Sequence, residues 1–175
     1  MFVKFLAIFC TVFVIVYGQD EAVSMDSVGY VWKYDKPPET NLYHHDNKSF
    51  YIGNVFKGNF LHSEQFCRYH GMSLATIESQ EENDFLESKL IERGVEGVWL
   101  FTSGTRLPNN VWVWLATGKN IAWTNWKTGE PNNVNSKEEC IAVNLMNKQM
   151  EWYDINCWTE QYFVCQKTSP LKCIE

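Results

Sequence analysis

Four of the side chains with oxygen atoms between residues 130 and 154 are candidate metal ligands. They are three carboxylates and one amide: Glu130, Asn132, Glu138 and Asp154. Ca²⁺ is a hard cation that takes about six to eight oxygen ligands from carboxylates, amides and backbone carbonyls. A calcium site that is open on one side also accepts two neighbouring hydroxyls of a sugar, while the same acids and amide exchange hydrogen bonds with those hydroxyls. These residue types therefore predict a calcium site that could also hold a sugar.

Pro131 separates two of the candidate ligands, Glu130 and Asn132, inside a segment rich in Gly, Pro and Asn that is typical of a surface turn. An X-Pro bond can be cis, and a cis bond here would direct the Glu130 and Asn132 side chains to the same side of the loop. Taken alone, the triplet also fits an ordinary turn. The cysteines on either side of it favour the binding site.

Two helices are predicted ahead of the candidate site. The first covers residues 61–70 and ends at Gly71. The second begins at a capping box, in which the Ser79 hydroxyl accepts from the backbone N–H of Glu82 and the Glu82 side chain reaches back, and it ends at Gly94. Both helices are expected to be structural.

Strands are predicted to form most of the remaining domain, because short β-branched and aromatic runs alternate with Gly, Pro and Asn from Val98 onward. The predicted strands are residues 49–52, 139–146, 151–155 and 162–166. Asp154 then lies on a strand that faces the loop. No acidic residue occurs between Gly97 and Gly129, and a hard dication needs carboxylates. At most one calcium is implied.

The first 18 residues have the pattern of a secretory signal peptide, with Lys4 ahead of an apolar core and small residues before Gln19. The apolar run is too short to cross a membrane, and no later run is long enough. We therefore expect a secreted, extracellular protein without a membrane span. Three segments follow, an extended N-terminal arm, one folded domain and a C-terminal tail, at residues 19–47, 48–168 and 169–175.

Five cysteines remain after the signal peptide: Cys67, Cys140, Cys157, Cys165 and Cys173. No CxxC spacing occurs, so in a secreted chain they predict a disulfide framework rather than a metal site. The sequence by itself permits several pairings. Asn47 begins the only N-glycosylation sequon, Asn-Lys-Ser, and is a candidate glycosylation site.

Composition and local patterns exclude several other functions. The net charge is −6 and the basic residues form no run, so nucleic acid is not an expected partner. Ser63 has His62 and Glu64 beside it, but neighbours on one helix do not face each other and assemble no nucleophile and base. Glu130 and Glu138 could imitate a glycosidase pair, yet nothing indicates an acid with a raised pKa. We expect no enzymatic activity.

The chain resembles the C-type lectin domain family over roughly residues 49–167. The resemblance rests on several separate stretches: Phe66-Cys67, Leu74-Ala75-Thr76-Ile77, Trp99-Leu100, Val111-Trp112-Val113-Trp114, Trp123-Thr124-Asn125-Trp126, Glu130-Pro131-Asn132, Glu139-Cys140, Trp152 to Cys157 and Val164-Cys165. It is strongest to secreted, single-domain invertebrate lectins of the insect-like kind. The resemblance implies an α+β fold, with two helices packed on small antiparallel sheets, a long loop that binds calcium and sugar, and disulfide staples.

The resemblance also implies how the cysteines pair: Cys67 with Cys165, and Cys140 with Cys157. Cys173 is then left over and is a candidate for an intermolecular bridge, in a homodimer or a heterodimer. The Glu-Pro-Asn triplet is similar to that of family members with mannose-type ligands. The expected partners are therefore glycans that carry mannose, N-acetylglucosamine or fucose, in innate immunity or in secreted fluids.

Tyr153 departs from the family pattern, in which sugar-binding members usually have asparagine between the tryptophan and the aspartate. That asparagine both coordinates calcium and donates to a sugar hydroxyl, and a neutral phenol is a poor calcium ligand. Calcium binding is therefore expected to be weakened or lost. Tyr153 could instead stack on the apolar face of a sugar. The alternative function is a protein-interaction module that has lost calcium and sugar binding through Tyr153.

Overall fold

The computed structural model describes residues 42–169 of the chain. The predicted signal peptide, residues 19–41 of the predicted arm, the end of the predicted tail and Cys173 lie outside the described residues. No helix within residues 42–169 is long and apolar enough to cross a bilayer.

Two α-helices, nine strands and one short 3-10 helix (Val134–Ser136) occur in this part of the chain. The helices are α1 (Phe60–Tyr69) and α2 (Gln80–Glu92). The strands are β1 (Leu42–His45), β2 (Lys48–Gly58), β3 (Ser73–Leu74), β4 (Trp99–Thr105), β5 (Val113–Trp114), β6 (Lys119–Asn120), β7 (Cys140–Met146), β8 (Gln149–Ile155) and β9 (Gln161–Thr168).

Helix α1 forms where the sequence predicts it, because local signals define both of its ends. Asn59 caps the N-terminus, and its Oδ1 accepts from the backbone N–H of His62 at 2.9 Å. Gly71 follows the C-terminus with φ of +69°, a conformation that glycine adopts at no steric cost. The buried face includes Phe66 and Cys67.

Helix α2 begins at the predicted cap, where the Ser79 hydroxyl accepts from the N–H of Glu82 at 3.3 Å. The second half of the predicted capping box, in which the Glu82 side chain reaches back to the first residue of the cap, is wrong. The Glu82 carboxylate accepts from the N–H of Glu78 at 2.8 Å and pairs with the Lys48 ammonium at 2.7 Å. Lys48 is only 7% exposed, and a buried ammonium needs a negative partner more than the helix end needs a second cap.

The strands join into one sheet in the order β1-β2-β9-β4-β5-β6, with β7 paired to β4, β8 to β7 and β3 to β9. Most pairs are antiparallel, as expected. The exception is β4 with β9, which run parallel where Leu100 faces Tyr162 and Phe101 faces Phe163. This parallel contact connects what the resemblance implied as separate small sheets.

Strand β1 lies inside the segment that the sequence assigned to the N-terminal arm. It pairs with β2, which is 11 residues long and extends well beyond the predicted residues 49–52. The sequon residue Asn47 lies in the turn between β1 and β2, and its carbonyl accepts from the N–H of Ser169 at 2.8 Å. The sequence of β1 has no sustained alternation, so only its pairing with β2 defines it.

A cluster of tryptophans surrounds Trp152 of β8, which is fully buried. Its ring lies within 5.3 Å of Trp123, 5.6 Å of Trp114 and 6.0 Å of Trp126, measured between centroids. The Trp152 indole N–H donates to Asn83 Oδ1 of α2 at 3.1 Å, so the buried polar group is satisfied. This packing fixes the strand that carries Asp154.

Two disulfides staple the domain, and they are the pairs that the resemblance implied. Cys67 of α1 is bonded to Cys165 of β9. Cys140, the first residue of β7, is bonded to Cys157 in the turn after β8. The second bridge holds together the ends of the two strands that flank the candidate site.

Candidate functional site

Asp154 organises the candidate site. Its carboxylate is almost fully buried, at 2% residue exposure, and accepts two backbone hydrogen bonds from the loop that precedes β7. Oδ1 accepts from the N–H of Asn132 at 2.9 Å, and Oδ2 accepts from the N–H of Asn133 at 2.8 Å. The strand and the loop are about 20 residues apart in the sequence, and this carboxylate holds them together.

Glu130 and Asn132 lie on the same side of that loop. The Glu130–Pro131 peptide bond is cis, the isomer that the sequence analysis considered for this position. The Asn132 amide donates to Glu130 Oε1 at 2.8 Å. Its Oδ1 accepts from the N–H of Val134 at 3.1 Å. The amide therefore contacts the acid beside it while its oxygen closes the turn.

Glu138 reaches the same loop from its other end. Its Oε2 accepts from the N–H of Val134 at 2.7 Å, and its own N–H donates to Asn133 Oδ1 at 3.1 Å. Between them the backbone is tightly wound, with positive φ at Asn133, Asn135 and Ser136. The structure thus brings all four candidate ligands to one loop and the strand beneath it.

Hydrogen bonds to β8 also hold the start of the loop. The N–H of Trp152 donates to the carbonyl of Asn125 at 2.9 Å, and the N–H of Lys127 donates to the carbonyl of Trp152 at 3.0 Å. The N–H of Glu130 then donates to the carbonyl of Lys127 at 2.9 Å. These bonds position Glu130 beside the end of the strand that carries Asp154.

The Glu130 carboxyl is surrounded by like charge. Burial, a hydrogen bond with Asp154, and the negative charges of Asp154 and Glu138 raise the pKa of Glu130 to about 7. One of its oxygens, Oε2, is buried without a hydrogen-bond partner. The sequence predicts no acid with a raised pKa, and the environment of Glu130 shows that this prediction is wrong. A cation would relieve both the repulsion and the unsatisfied oxygen.

The donor set fits calcium in its chemistry. It consists of three carboxylates and one amide oxygen, all hard ligands, and it includes a buried oxygen that has no partner. Within residues 42–169, no three His, Cys, Asp or Glu side chains are already grouped as a metal site. The carboxylates of Asp154 and Glu138 instead accept from backbone N–H groups of the loop.

Tyr153 lies in packed surroundings. It is 9% exposed, and its ring packs edge-on against Trp99, with centroids 4.5 Å apart. The Lys127 ammonium lies 5.6 Å from the ring centroid and forms an ion pair with Glu151 at 2.8 Å. A hydrogen bond with Glu151 raises the pKa of Lys127 above its usual value. A weaker interaction with Tyr153 adds to this rise. The role of Tyr153 in carbohydrate binding remains a prediction, and most of its surface is covered by protein.

Asn133 belongs to the site but was not identified from the sequence as a site residue. It donates to Asp154 and accepts from Glu138. Its φ of +47° is in the left-handed region, which asparagine enters more readily than most residues. The Asn-Asn pair after Pro131 was the available signal.

Sequence comparison assigns this arrangement to a family. The profile of the Lectin C-type domain matches residues 56–167, which include both disulfides and all four candidate ligands. The chain belongs to the C-type lectin domain family. The family resemblance inferred from the motifs is thus confirmed.

Relatives of this C-type lectin domain are found among both sequences and structures. C-type lectin 37Db of Drosophila melanogaster is 31% identical over 121 residues, which is 68% of this chain and 77% of the relative. The C-type lectin domain of murine dendritic cell inhibitory receptor 2, solved in complex with an N-glycan, is 29% identical, with a TM-score of 0.66 over 77% of this chain and all of that one. Some relatives are longer, and the match spans only 32% and 24% of two of them.

The fold by itself does not require calcium. A calcium-independent type II antifreeze protein has the same fold, with a TM-score of 0.62 over 78% of this chain and 98% of that one, at 18% identity. At that identity the likeness shows the fold alone. A metal site in this C-type lectin domain therefore has to be argued from its own candidate ligands and not from the fold.

Proposed function

We propose that this C-type lectin domain binds Ca²⁺ through Glu130, Asn132, Glu138 and Asp154, and that it binds mannose-type sugars there. The observation that carries the proposal is the clamp between Asp154 and the loop, which holds the segment that carries Glu130 and Glu138 on the strand that carries Asp154. Burial, a hydrogen bond with Asp154 and repulsion from the other two acids raise the pKa of Glu130 to about 7. Such a cluster is stabilised by a divalent cation.

Each side chain has a separate task in this proposal. Bound calcium would supply a Lewis acid for two neighbouring sugar hydroxyls, such as the equatorial 3- and 4-hydroxyls of mannose. Glu130 and Glu138 would accept hydrogen bonds from those hydroxyls, and the Asn132 amide would donate one. Asp154 holds the loop that carries Glu130, Asn132 and Glu138. The same site would take N-acetylglucosamine and fucose units.

The biological setting proposed for the protein follows from the same site. A single shallow sugar site binds at about millimolar, near −4 kcal/mol. Several linked sites are needed for useful avidity, and a bridge through Cys173 would link two chains. We propose a secreted lectin that recognises glycans in innate immunity or in secreted fluids and catalyses no reaction. Burial of Glu130 and its carboxylate neighbours explain its raised pKa without an enzymatic role.

A protein-interaction module is the second candidate, and the packing of Tyr153 favours it. With the Tyr153 ring against Trp99, four side-chain ligands are available where sugar-binding members usually have five. A site with fewer ligands holds calcium less tightly. If calcium is not retained, Glu130 and Glu138 are solvated acids, and the protein binds a partner through another surface.

Affinity chromatography separates these two functions. The secreted chain is applied to immobilised mannose in calcium and then eluted with a chelator, with a Tyr153→Asn variant and a galactose column run alongside. Retention of the native chain on mannose and its release by the chelator would support the lectin. Retention of the Tyr153→Asn variant alone would support the interaction module, because the asparagine would have restored a lost ligand.

A further inference from the structure

Arg106 differs from the other two arginines of the chain in having no hydrogen-bonding partner for its side chain. Arg68 pairs with Glu64 on helix α1, and Arg93 donates to Asn54 Oδ1 at 2.8 Å. The Arg106 side chain forms no ion pair or hydrogen bond within residues 42–169, and its Nε is buried without a partner. The donors of the Arg106 guanidinium are therefore not used by other groups in this part of the chain.

The Arg106 guanidinium is nevertheless held in place. Its central carbon lies 5.5 Å from the ring centroid of Trp112, within the range of a cation–π contact. The Trp112 ring is in turn 5.2 Å from Trp126, which packs on the buried Trp152. Arg106, Trp112 and Trp126 together form a platform. A stacked guanidinium loses less conformational freedom on binding than a free one, so this platform favours ligand binding.

Backbone hydrogen bonds connect this platform to the segments that carry two of the candidate calcium ligands. The Arg106 N–H donates to the carbonyl of Glu139 at 3.0 Å, and Glu139 directly follows Glu138. On the other side, Trp126 is followed by Lys127, whose carbonyl accepts from the N–H of Glu130 at 2.9 Å. The backbone of the platform is therefore joined to the two segments that carry Glu138 and Glu130.

We propose that Arg106 forms a second subsite, which binds the carboxylate or sulfate group of an acidic sugar adjoining the sugar held at the calcium site. The proposal rests on the proposed lectin function and names its preferred class of glycan. A planar guanidinium offers two parallel N–H donors that match the oxygens of a carboxylate or a sulfate. The side chains of Leu107 and Val111 are exposed at 46% each and carry no acceptor that would compete with a glycan for the guanidinium.

The local charge makes this subsite depend on the metal. Without a cation, the three carboxylates of Glu130, Glu138 and Asp154 repel an incoming anion. A bound Ca²⁺ offsets two of those charges, after which the attraction of Arg106 for an acidic group prevails. Preference for acidic glycans is therefore expected only in calcium, and it is expected to decline as salt screens the guanidinium.

Binding to paired glycans tests the subsite. The secreted full chain is measured in calcium against an immobilised neutral mannose glycan, the same glycan with a terminal carboxylate sugar, and the same glycan with a sulfate ester. The variants are Arg106→Gln, which removes the charge, and Arg106→Lys, which keeps the charge without the planar fork. Arg93→Gln is the control, since Arg93 bonds to Asn54 and not to Trp112.

The native chain and Arg93→Gln are expected to bind at least one acidic glycan about fivefold more tightly than the neutral one. Arg106→Gln should bind all three equally, with neutral binding unchanged, and Arg106→Lys should be intermediate. An equal acidic preference in Arg106→Gln, or none in the native chain, would overturn the subsite while leaving the lectin intact. Loss of neutral binding in every protein would overturn the lectin function itself. The carboxylate and sulfate arms show which acid is bound.

Discussion

Tyr153 and Trp99 pack edge to face, with ring centroids 4.5 Å apart and ring planes at 78°. The phenol therefore contributes to packing at the position where many sugar-binding relatives would have a calcium ligand. Aromatic pairs of this geometry are worth about 0.5–1.5 kcal/mol beyond the area they bury. We therefore expect stability and calcium affinity to be in opposition at residue 153.

Replacing Tyr153 with asparagine should show that opposition directly. We expect Tyr153→Asn to lower the free energy of unfolding by about 2–3 kcal/mol in calcium-free buffer, because the ring and its contact with Trp99 are lost. The same variant should bind calcium at least about tenfold more tightly, because it regains an oxygen ligand. Chemical denaturation and calcium titration measure the two effects.

The matched control is Tyr153→Phe. It keeps the ring against Trp99 and removes only the hydroxyl, so stability should change by less than about 1 kcal/mol and calcium affinity should not rise. Equal calcium affinity in the native, asparagine and phenylalanine proteins would show that residue 153 has no part in the metal site.

Asp154→Asn should disturb the site even without metal. The amide keeps one acceptor oxygen, so one of the two loop N–H groups, that of Asn132 or Asn133, loses its partner and faces a donor. The expected cost in unfolding free energy is about 1–3 kcal/mol, together with loss of calcium binding. Urea denaturation of the calcium-free protein measures it. Glu139→Gln is the control, because only the backbone carbonyl of Glu139 bonds to the loop after β4.

The pH dependence of calcium binding should follow Glu130. In the calcium-free fold its pKa is raised from 4.5 to about 7, so calcium must displace a proton below pH 7. We expect affinity to fall by up to about tenfold per pH unit as the pH drops below about 7. Titrations in buffers of different ionisation enthalpy would detect the released proton. Affinity that is constant across this range would contradict the assignment of Glu130 as a ligand.

The folding stability of the calcium-free protein should fall as the pH rises, whereas the calcium affinity should increase. Because folding raises the pKa of Glu130, protonation favours the folded state, and this contribution is complete below about pH 4.5 and lost as the pH rises through about 7. Glu130→Gln removes the charge, so it should stabilise the calcium-free protein above pH 7 relative to the native chain. Thermal melting of both proteins with a chelator, at pH values on either side of 7, measures the difference.

The two disulfides should differ in their effects. Removing the Cys140–Cys157 bridge, whose cysteines are 17 residues apart, should cost about 3 kcal/mol, whereas removing Cys67–Cys165, 98 residues apart, should cost about 4.7 kcal/mol. Only the Cys140–Cys157 bridge lies beside the strands that flank the candidate site. Its loss should therefore weaken calcium binding more than loss of the Cys67–Cys165 bridge. Equal losses of calcium affinity in the two double-alanine variants would contradict this link.

Local signals in the sequence were sufficient for several parts of the fold. Both helices form close to their predicted bounds. Contacts within four residues define their ends, at Asn59, Ser79, Gly71 and Gly94. Such caps and left-handed turns depend on the backbone nearby and therefore can be read from the sequence. The disulfide pairing was different, because it came from the family resemblance and not from cysteine spacing.

Contacts between distant segments decided the rest. Glu82 has the sequence of a capping-box acid, but the buried Lys48 ammonium, 34 residues away, takes its carboxylate. Strand β1 exists because β2 pairs with it. Neither partner could be inferred from the local sequence, since burial of a charge and pairing of a strand depend on which segments meet.

The sequence by itself determined the chemistry available at the candidate site: three acids, an amide and a proline that fit a calcium-binding loop. Only the tertiary structure decided how these groups are used. It holds the loop on Asp154 across 22 residues and places the Tyr153 ring on Trp99. It also leaves Arg106 stacked on Trp112 without an acceptor. The physical reason is that residue type fixes a donor or an acceptor, whereas its partner and its exposure to water are set by the packing of the whole domain.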